Sequence, residues 1–308
     1  MRVLLTGASS FTGAWFAKRL SEKGHQVTAT LRGFRAAYQG LKAQRLAWIE
    51  GNCELVEGAP FGSDTFLEKV EGGRFDILCH HAAEVANYRS PDFDIAAALA
   101  ANTFRICDVL AALRRTGCGR IVLTGTIFEP DEGKGDMPLR AFNAYGLSKG
   151  LTARMFDFHA DGFGLGKFVI ANPFGPYQEP RFTDYLMQQW KDGKPAKVQA
   201  PLYVRDHIPV ALMADAYVRF VEELGAGERR KTAPSCYAES QEDFARRFAR
   251  EVGARLKLET ALEFSTQTVF DEPLTRIATD PVPQDRQKDS WDGLAEYYSR
   301  TLKIERRP

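Results

Sequence analysis

The stretch Val3-Leu4-Leu5-Thr6-Gly7-Ala8-Ser9-Ser10-Phe11-Thr12-Gly13, running on through Ala14-Trp15-Phe16-Ala17-Lys18-Arg19-Leu20, reads as strand, turn and helix. Val3 to Leu5 are apolar without alternation, the pattern of a parallel strand covered on both faces. Phe16, Ala17 and Leu20 recur at helical spacing until Gly24, which can cap the end. The turn between them is built of small residues: Gly7 permits a tight bend, and Gly13 lets the helix pack closely on the strand. Free N–H groups at the start of such a helix aim at a phosphate. Ser10 replaces the middle glycine of the usual dinucleotide fingerprint and puts a side chain where the backbone normally approaches a pyrophosphate. On the turn alone, nucleotide binding and an ordinary strand-to-helix connection both stay open.

A chain of 308 residues can bury a large core and suits a main domain with a smaller one. Charge is balanced, 41 Lys and Arg against 40 Asp and Glu, and no basic block points to nucleic acid or an anionic membrane surface as partner. Arg229-Arg230-Lys231 reads as solvated surface. The chain opens on a strand and shows no apolar run long enough to span a bilayer or act as a signal peptide, so the expectation is a cytoplasmic enzyme or binding protein. The five cysteines are odd in number and form no CxxC pair, which argues for reduced thiols. Cys79 in a strand and Cys107 in a helix read as core residues. His80 and His81 are adjacent rather than spaced for one helix face, so no metal site is expected.

Further strands are expected at Gln26 to Leu31, Leu46 to Glu50, Phe75 to His80, Gly119 to Thr124 and Lys167 to Ala171. Ser90 reads as the N-cap of a long helix with Pro91 at its first position, running to Arg115 and closed by Gly117. A second helix runs from about Ala144 to Phe163. Strands alternating with helices predict an α/β fold, a Rossmann-type doubly wound parallel sheet with helices on both faces. Residues 1–171 form the dinucleotide-binding domain in this reading. Residues 172–308, with Pro173, Pro176, Pro180, Pro195 and Pro201 and short helices at Asp215–Leu224, Gln241–Val252 and Trp291–Thr301, form a smaller substrate-binding region interleaved with it. The closing charges from Lys303 to Arg307 read as a frayed end.

Tyr145 and Lys149 stand four apart and share a helix face. A tyrosine with a pKa of about 10 is a poor acid–base catalyst at neutral pH, and a nearby ammonium and a cationic nicotinamide favour its ionised form. The pair begins a helix directly after the fifth strand, where Thr124 and Thr126 can supply a hydroxyl.

At this point the chain resembles the extended short-chain dehydrogenase/reductase family, the nucleotide-sugar epimerases, dehydratases and reductases. The resemblance is carried by Thr6-Gly7-Ala8-Ser9-Ser10-Phe11-Thr12-Gly13, by Asp76 to Ala83 with its His-x-Ala-Ala ending, by Asn102-Thr103, and by Ile121 to Thr126. Tyr145 with Lys149, Asn172-Pro173-Phe174-Gly175-Pro176 and Arg205-Asp206-His207-Ile208 complete it in the family's order. The resemblance implies that Gly7, Ser9, Ser10, Phe11, Thr12 and Gly13 hold a pyrophosphate and that Asn52 and Cys53 lie beside the adenine. Ala82, Asn102, Thr124 and Pro173 would complete the cofactor site. It further implies that Tyr145 exchanges a proton, that Lys149 binds the nicotinamide ribose, and that Thr126, with Thr124 as alternative, hydrogen-bonds the reacting oxygen. Arg205 would grip a substrate pyrophosphate, with Arg276 a second candidate and Asn172 and Glu84 beside the substrate.

The chain also departs from that pattern. Arg32, with Arg35 nearby, stands where NAD-binding members carry an acid, which favours NADP(H) over NAD(H), because arginine attracts a 2′-phosphate. Asn52 replaces a usual aspartate, and Glu129 is displaced from the Thr-Asp-Glu run that dehydratases use. The resulting expectation is an NADPH-dependent reductase of a nucleotide-linked 4-keto-6-deoxy sugar. The alternatives are a 4-epimerase or dehydratase with tightly bound NAD, and a regulator on the same fold that has lost catalysis. Family members pair through the helices after strands four and five, which implies a homodimer.

Overall fold

The computed structural model describes residues 1–283 and 285–304. Along the chain the elements are β1 (Arg2–Thr6), α1 (Phe11–Glu22), β2 (Gln26–Thr30), α2 (Gly40–Ile49), β3 (Glu54–Val56), α3 (Asp64–Gly72) and β4 (Ile77–His80). Then follow α4 (Ile95–Asn102), α5 (Ile106–Arg115), β5 (Arg120–Thr126), β6 (Lys134–Gly135), α6 (Ala144–His159), β7 (Gly164–Ile170), β8 (Asn172–Phe174) and α7 (Phe182–Lys191). The remainder is β9 (Ala196–Val198), β10 (Val204–Pro209), α8 (Val210–Glu223), β11 (Arg229–Thr232), β12 (Pro234–Ser235), β13 (Tyr237–Ser240), α9 (Gln241–Leu256), β14 (Leu262–Phe264), β15 (Thr275–Ile277), β16 (Asp280–Pro281) and α10 (Gln287–Leu302).

The chain divides into two compact units. The first holds residues 1–132, 139–170 and 214–233, and the second holds 133–138, 171–213 and 234–308. In the first, seven parallel strands lie in the order β11-β7-β5-β4-β1-β2-β3. Strand order reverses between β1 and β4, and in such sheets ligands bind outside the carboxyl ends of the strands at the reversal. One face of the sheet is covered by α3, α5 and α6, whose Phe66, Leu110 and Phe156 share a core with Leu4, Leu78 and Ile121. On another side of this unit Phe16 stacks on Tyr217 at 3.8 Å, and Phe168 packs edge-on to both.

The second unit has its own sheet, β13-β10-β15-β6 with β8 beside β10. Its core gathers Phe174, Trp190, Phe244, Phe248 and Trp291. A core of this size in each unit explains why each is compact by itself.

Several expectations are corrected. Leu46 to Glu50 is not a strand. Leu46 and Ile49, three apart, are buried at helical spacing in α2, and Trp48 packs edge-on to Trp15 of α1 at 4.9 Å. The third strand is Glu54–Val56. The helix expected from Pro91 to Arg115 is two helices. Asp94, not Ser90, caps α4 by accepting from Ala97 N–H at 2.9 Å. The chain then breaks at Thr103, whose hydroxyl returns to the Leu99 carbonyl, and Arg105 takes a left-handed backbone. Residues 95–115 are also long and apolar enough by composition to cross a membrane, a run that the sequence reading passed over. Here Val109, Leu110 and Leu113 from that run lie in the core with α3 and α6. Arg229 to Lys231 is at the surface, as expected, and there forms an outer strand of the sheet, with Arg230 paired to Glu223 and Lys231 to Glu132. Cys107 is exposed rather than core, its sulfur 3.6 Å from His159 Nδ1. Of the closing charges, Glu305, Arg306 and Arg307 lie outside the described residues.

Candidate active site

The turn after β1 explains both of its glycines and its serine. Gly7 has φ +79°, and a Cβ there would come within 2.8 Å of Ala82 N on the segment after β4. A Cβ on Gly13 would lie 2.2 Å from the Gly7 carbonyl oxygen, so helix and turn touch through hydrogen alone. Ser10 is the N-cap of α1: its Oγ accepts from Gly13 N–H at 3.1 Å and donates to the Gly7 carbonyl at 2.9 Å. The side chain that interrupts the glycine fingerprint therefore closes the turn on itself. Among the described residues neither Phe11 nor Thr12 N–H has a partner, so two donors at the positive end of α1 are available to an anion. Ser9 offers its carbonyl to Arg45, which is wholly buried.

Beneath the turn sits a histidine pair. His80 Nε2 lies 3.1 Å from the Asn102 carbonyl, which can only accept, so Nε2 carries the proton and Nδ1 accepts from Thr6 Oγ1 at 3.1 Å. Burial and the Lys149 charge push its pKa down to about 3. His81 Nε2 lies 3.0 Å from Ser10 Oγ and 2.9 Å from Thr12 Oγ1, and burial, Lys149 and His80 likewise hold it neutral. Thr6 Oγ1 also accepts from the His81 and Ala82 N–H groups. Asn102 ties the layer together, its amide accepting from Glu84 N–H at 2.8 Å and donating to Thr152 Oγ1 at 3.3 Å.

Tyr145 enters on the first turn of α6, which Asn143 caps through Gly146 N–H at 2.8 Å. Its ring packs against Tyr88 and Phe93, and it stays partly exposed. Gly146 brings α6 hard against the segment after β5: a Cβ there would sit 2.1 Å from the Phe128 carbonyl oxygen. Thr126 ends β5, its hydroxyl accepting from Phe128 N–H at 3.3 Å. Phe128 thus lies between the Thr126 hydroxyl and the helix turn that carries Tyr145. Lys149, one turn on, is buried. Burial pushes its ammonium down to about 8, with Glu129 supporting the charge and Lys167 opposing it. Thr124 Oγ1 is buried with no hydrogen-bond partner among the described residues.

The outer cofactor candidates are held by other partners. Arg32, 73 % exposed along its side chain, donates to Glu84 Oε2 at 2.9 Å, which joins a cofactor candidate to a substrate candidate. Hydrogen bonds from Ala86 and Val85 N–H together with Arg32 hold the Glu84 carboxyl below its usual range against partial burial. Arg35 is clamped by Glu50. Asn52 accepts from Lys18 at 2.7 Å and from Ser21, while the Cys53 thiol faces the Ala17 carbonyl; both attach to the later turns of α1.

In the second unit, β10 and β15 run parallel with Arg205 opposite Arg276 in register. Arg205 donates to the Val204 and Leu274 carbonyls and to Glu272 at 2.8 Å, and lies over the Tyr203 ring. Arg276 is only 1 % exposed. Asn172 donates to the Asp206 carbonyl, and the Pro173 carbonyl accepts from Gln178. Sequence reasoning missed Thr6, Arg45, His81 and Lys167, and it set Glu129 aside. Their signal is three-dimensional, since each meets partners distant in sequence.

A seven-stranded doubly wound sheet with a glycine turn at the reversal, two free helix-start donors and a Tyr–x–x–x–Lys helix whose lysine is buried defines a dinucleotide-dependent oxidoreductase of the short-chain type. Residues 3–232 match the family model for the NAD dependent epimerase/dehydratase family, and the chain belongs to that family. It is 25 % identical over 261 residues to a UDP-glucose 4-epimerase of Corynebacterium glutamicum, covering 75 % of this chain and 74 % of that protein. Over 126 residues, 41 % of this chain and 33 % of its relative, it is 30 % identical to a 2-alkyl-3-oxoalkanoate reductase of Stenotrophomonas maltophilia. Among solved structures it resembles a UDP-glucuronic acid 4-epimerase of Bacillus cereus with UDP-glucuronic acid and NAD, at a TM-score of 0.72 and 16 % identity, with 98 % of this chain and 100 % of that one covered. A Thermotoga maritima UDP-glucose 4-epimerase with UDP-glucose gives 0.70 and 17 %, again covering 98 % and 100 %.

Proposed function

We propose that this chain is a nucleotide-diphosphate sugar 4-epimerase that keeps its own NAD. The observation that carries this is the Tyr145–Lys149 helix, its Lys149 buried, joined through Gly146 to the segment after β5, within the epimerase/dehydratase family. The UDP-sugar 4-epimerases among its relatives support epimerisation over the reduction expected from sequence. The glycine turn fits a dinucleotide pyrophosphate: Phe11 and Thr12 N–H would hold it, and no side chain could replace Gly7 or Gly13 there. When bound, the nicotinamide supplies reversible hydride acceptance. Tyr145 takes the proton from the sugar 4-hydroxyl and later returns it, Thr126 steadies the oxygen, and Lys149 favours the tyrosinate and holds the ribose. Arg205, held by Glu272 over the Tyr203 ring, would take the diphosphate, with Arg276 buried opposite it in register.

A second reading, an NADPH-dependent reductase, is favoured by Arg32, a cation where an acid would repel a 2′-phosphate. Against it, Arg32 is already paired with Glu84 and Arg35 with Glu50. Denaturing the purified protein and identifying the nucleotide released separates the two. Stoichiometric NAD supports the epimerase; an empty site that binds NADPH selects the reductase. The same reading takes the chain as a homodimer through α4 and α5 together with α6, where Phe158 is 80 % exposed.

A further inference from the structure

Between β5 and α6 lies an ion cluster that the epimerase reaction does not by itself require. Glu129 is wholly buried. One of its oxygens accepts from Thr126 N–H at 2.8 Å, and the other lies 2.5 Å from Lys167 Nζ on β7. Lys167 also meets Glu132 at 2.8 Å, and Glu132 meets Lys231 on β11 at 3.1 Å. Gly125 makes room for this arrangement: a Cβ there would lie 2.8 Å from both Glu129 Oε1 and Lys167 Cε. The Thr124-Gly125-Thr126 sequence is thus shaped around the carboxylate. A buried carboxylate is costly unless it has partners for its lone pairs, and this one spends them on the backbone of the strand that presents Thr126 and on a lysine.

We propose that Glu129 is a positioning residue for the Tyr145–Lys149 pair: its carboxylate fastens the end of β5, and it lies against the turn of α6 that carries Lys149, where a Cβ on the neighbouring Gly150 would come within 3.8 Å of Glu129 Cβ. The proposal rests on the family reading of Lys149. The charged and titratable groups around that ammonium are Glu129 from the segment after β5, Lys167 from β7, and His80 of β4 with His81 just after it, while Tyr145 stands one turn earlier on α6. Both histidines are neutral, and Lys167 opposes, which leaves Glu129 as the group that favours the charge. Removing its charge also leaves Lys167 less compensated, so both effects act in the same direction.

Competitive acetylation of the purified protein with trace acetic anhydride, read lysine by lysine by mass spectrometry across pH, reports the Lys149 midpoint without turnover. Glu129→Gln keeps a carbonyl oxygen for Thr126 N–H and removes the charge. Its Lys149 midpoint is expected to fall by about one pH unit or more, a tenfold gain in reactive amine below the midpoint, while Lys18 is unmoved. An unshifted Lys149 midpoint in folded Glu129→Gln overturns the proposal. Should that variant not fold, Lys167→Met serves instead: removal of the opposing cation is expected to raise the midpoint, and a fall or no change contradicts the assignment. The alkaline limb of kcat against pH should move down with the Glu129→Gln midpoint, at a KM within about twofold of the parent's. A shifted midpoint in a protein without epimerase activity supports the Glu129 assignment and removes the proposed function instead.

Discussion

Arg205 and Arg276 face one another in register on adjacent parallel strands, and both side chains are buried or nearly so. Like charges in that position repel, and Glu272 offsets the repulsion at Arg205. A substrate diphosphate would take the same place beside Arg205. Arg205→Lys should therefore raise KM for a UDP-sugar by about tenfold or more, because a point charge cannot replace a planar fork. Kinetics in which only kcat changed would remove Arg205 from substrate binding.

Tyr145→Phe deletes the hydroxyl and keeps the ring that packs on Tyr88 and Phe93. Turnover should fall by about 10²–10⁴-fold with the nucleotide content of the purified protein unchanged. Full activity in this variant would place the acid–base group elsewhere.

Gly7 and Gly24 both have positive φ, +79° and +85°, but only Gly7 has a neighbour in the way of a Cβ. Alanine at Gly24 should cost about 1 kcal/mol from backbone strain alone. At Gly7 the clash with Ala82 adds to the strain, for a total of about 2–4 kcal/mol and a clearly larger drop in Tm. Equal losses at the two sites would mean that the turn does not press on the segment after β4.

His80 and His207 are buried in separate units, and burial holds both near a pKa of about 3 in the folded state. The unfolded chain binds these protons near pH 6.5, so their stabilisation is complete above that value and is lost as pH falls from 6.5 towards 3. Each contributes a slope of up to about 1.4 kcal/mol per pH unit in that window. Melting curves between pH 7.5 and 5 should show stability falling well above the carboxylate range. His207→Phe, which retains stacking on Phe244, should flatten the fall; an identical pH profile would contradict this.

The alternation of strands and helices was legible in sequence because apolar runs at Val3–Leu5 and Ile77–Cys79 have the pattern of buried parallel strands. Leu46 to Ile49 misled because a short apolar run does not reveal its period; burial of Arg45 and Leu46 together with Ile49 decides for helix. The Tyr145–Lys149 helix and the glycine turn were visible because their residues are close in sequence. Glu129, Lys167 and His81 were not, since their meaning comes from neighbours on other strands. Ser10 shows the same limit from the other side: its type suggested a damaged fingerprint, whereas its bonds to Gly7 and Gly13 make it the cap that builds the turn.

The most direct measurement follows the sugar itself. Purified protein, with no cofactor added, is incubated with a UDP-hexose and the anomeric protons are followed by NMR. The account predicts conversion to the 4-epimer, to the same equilibrium mixture from either side, with no net change in nicotinamide absorbance. Product that forms only when NADPH is supplied, with one NADPH oxidised per sugar, would contradict it.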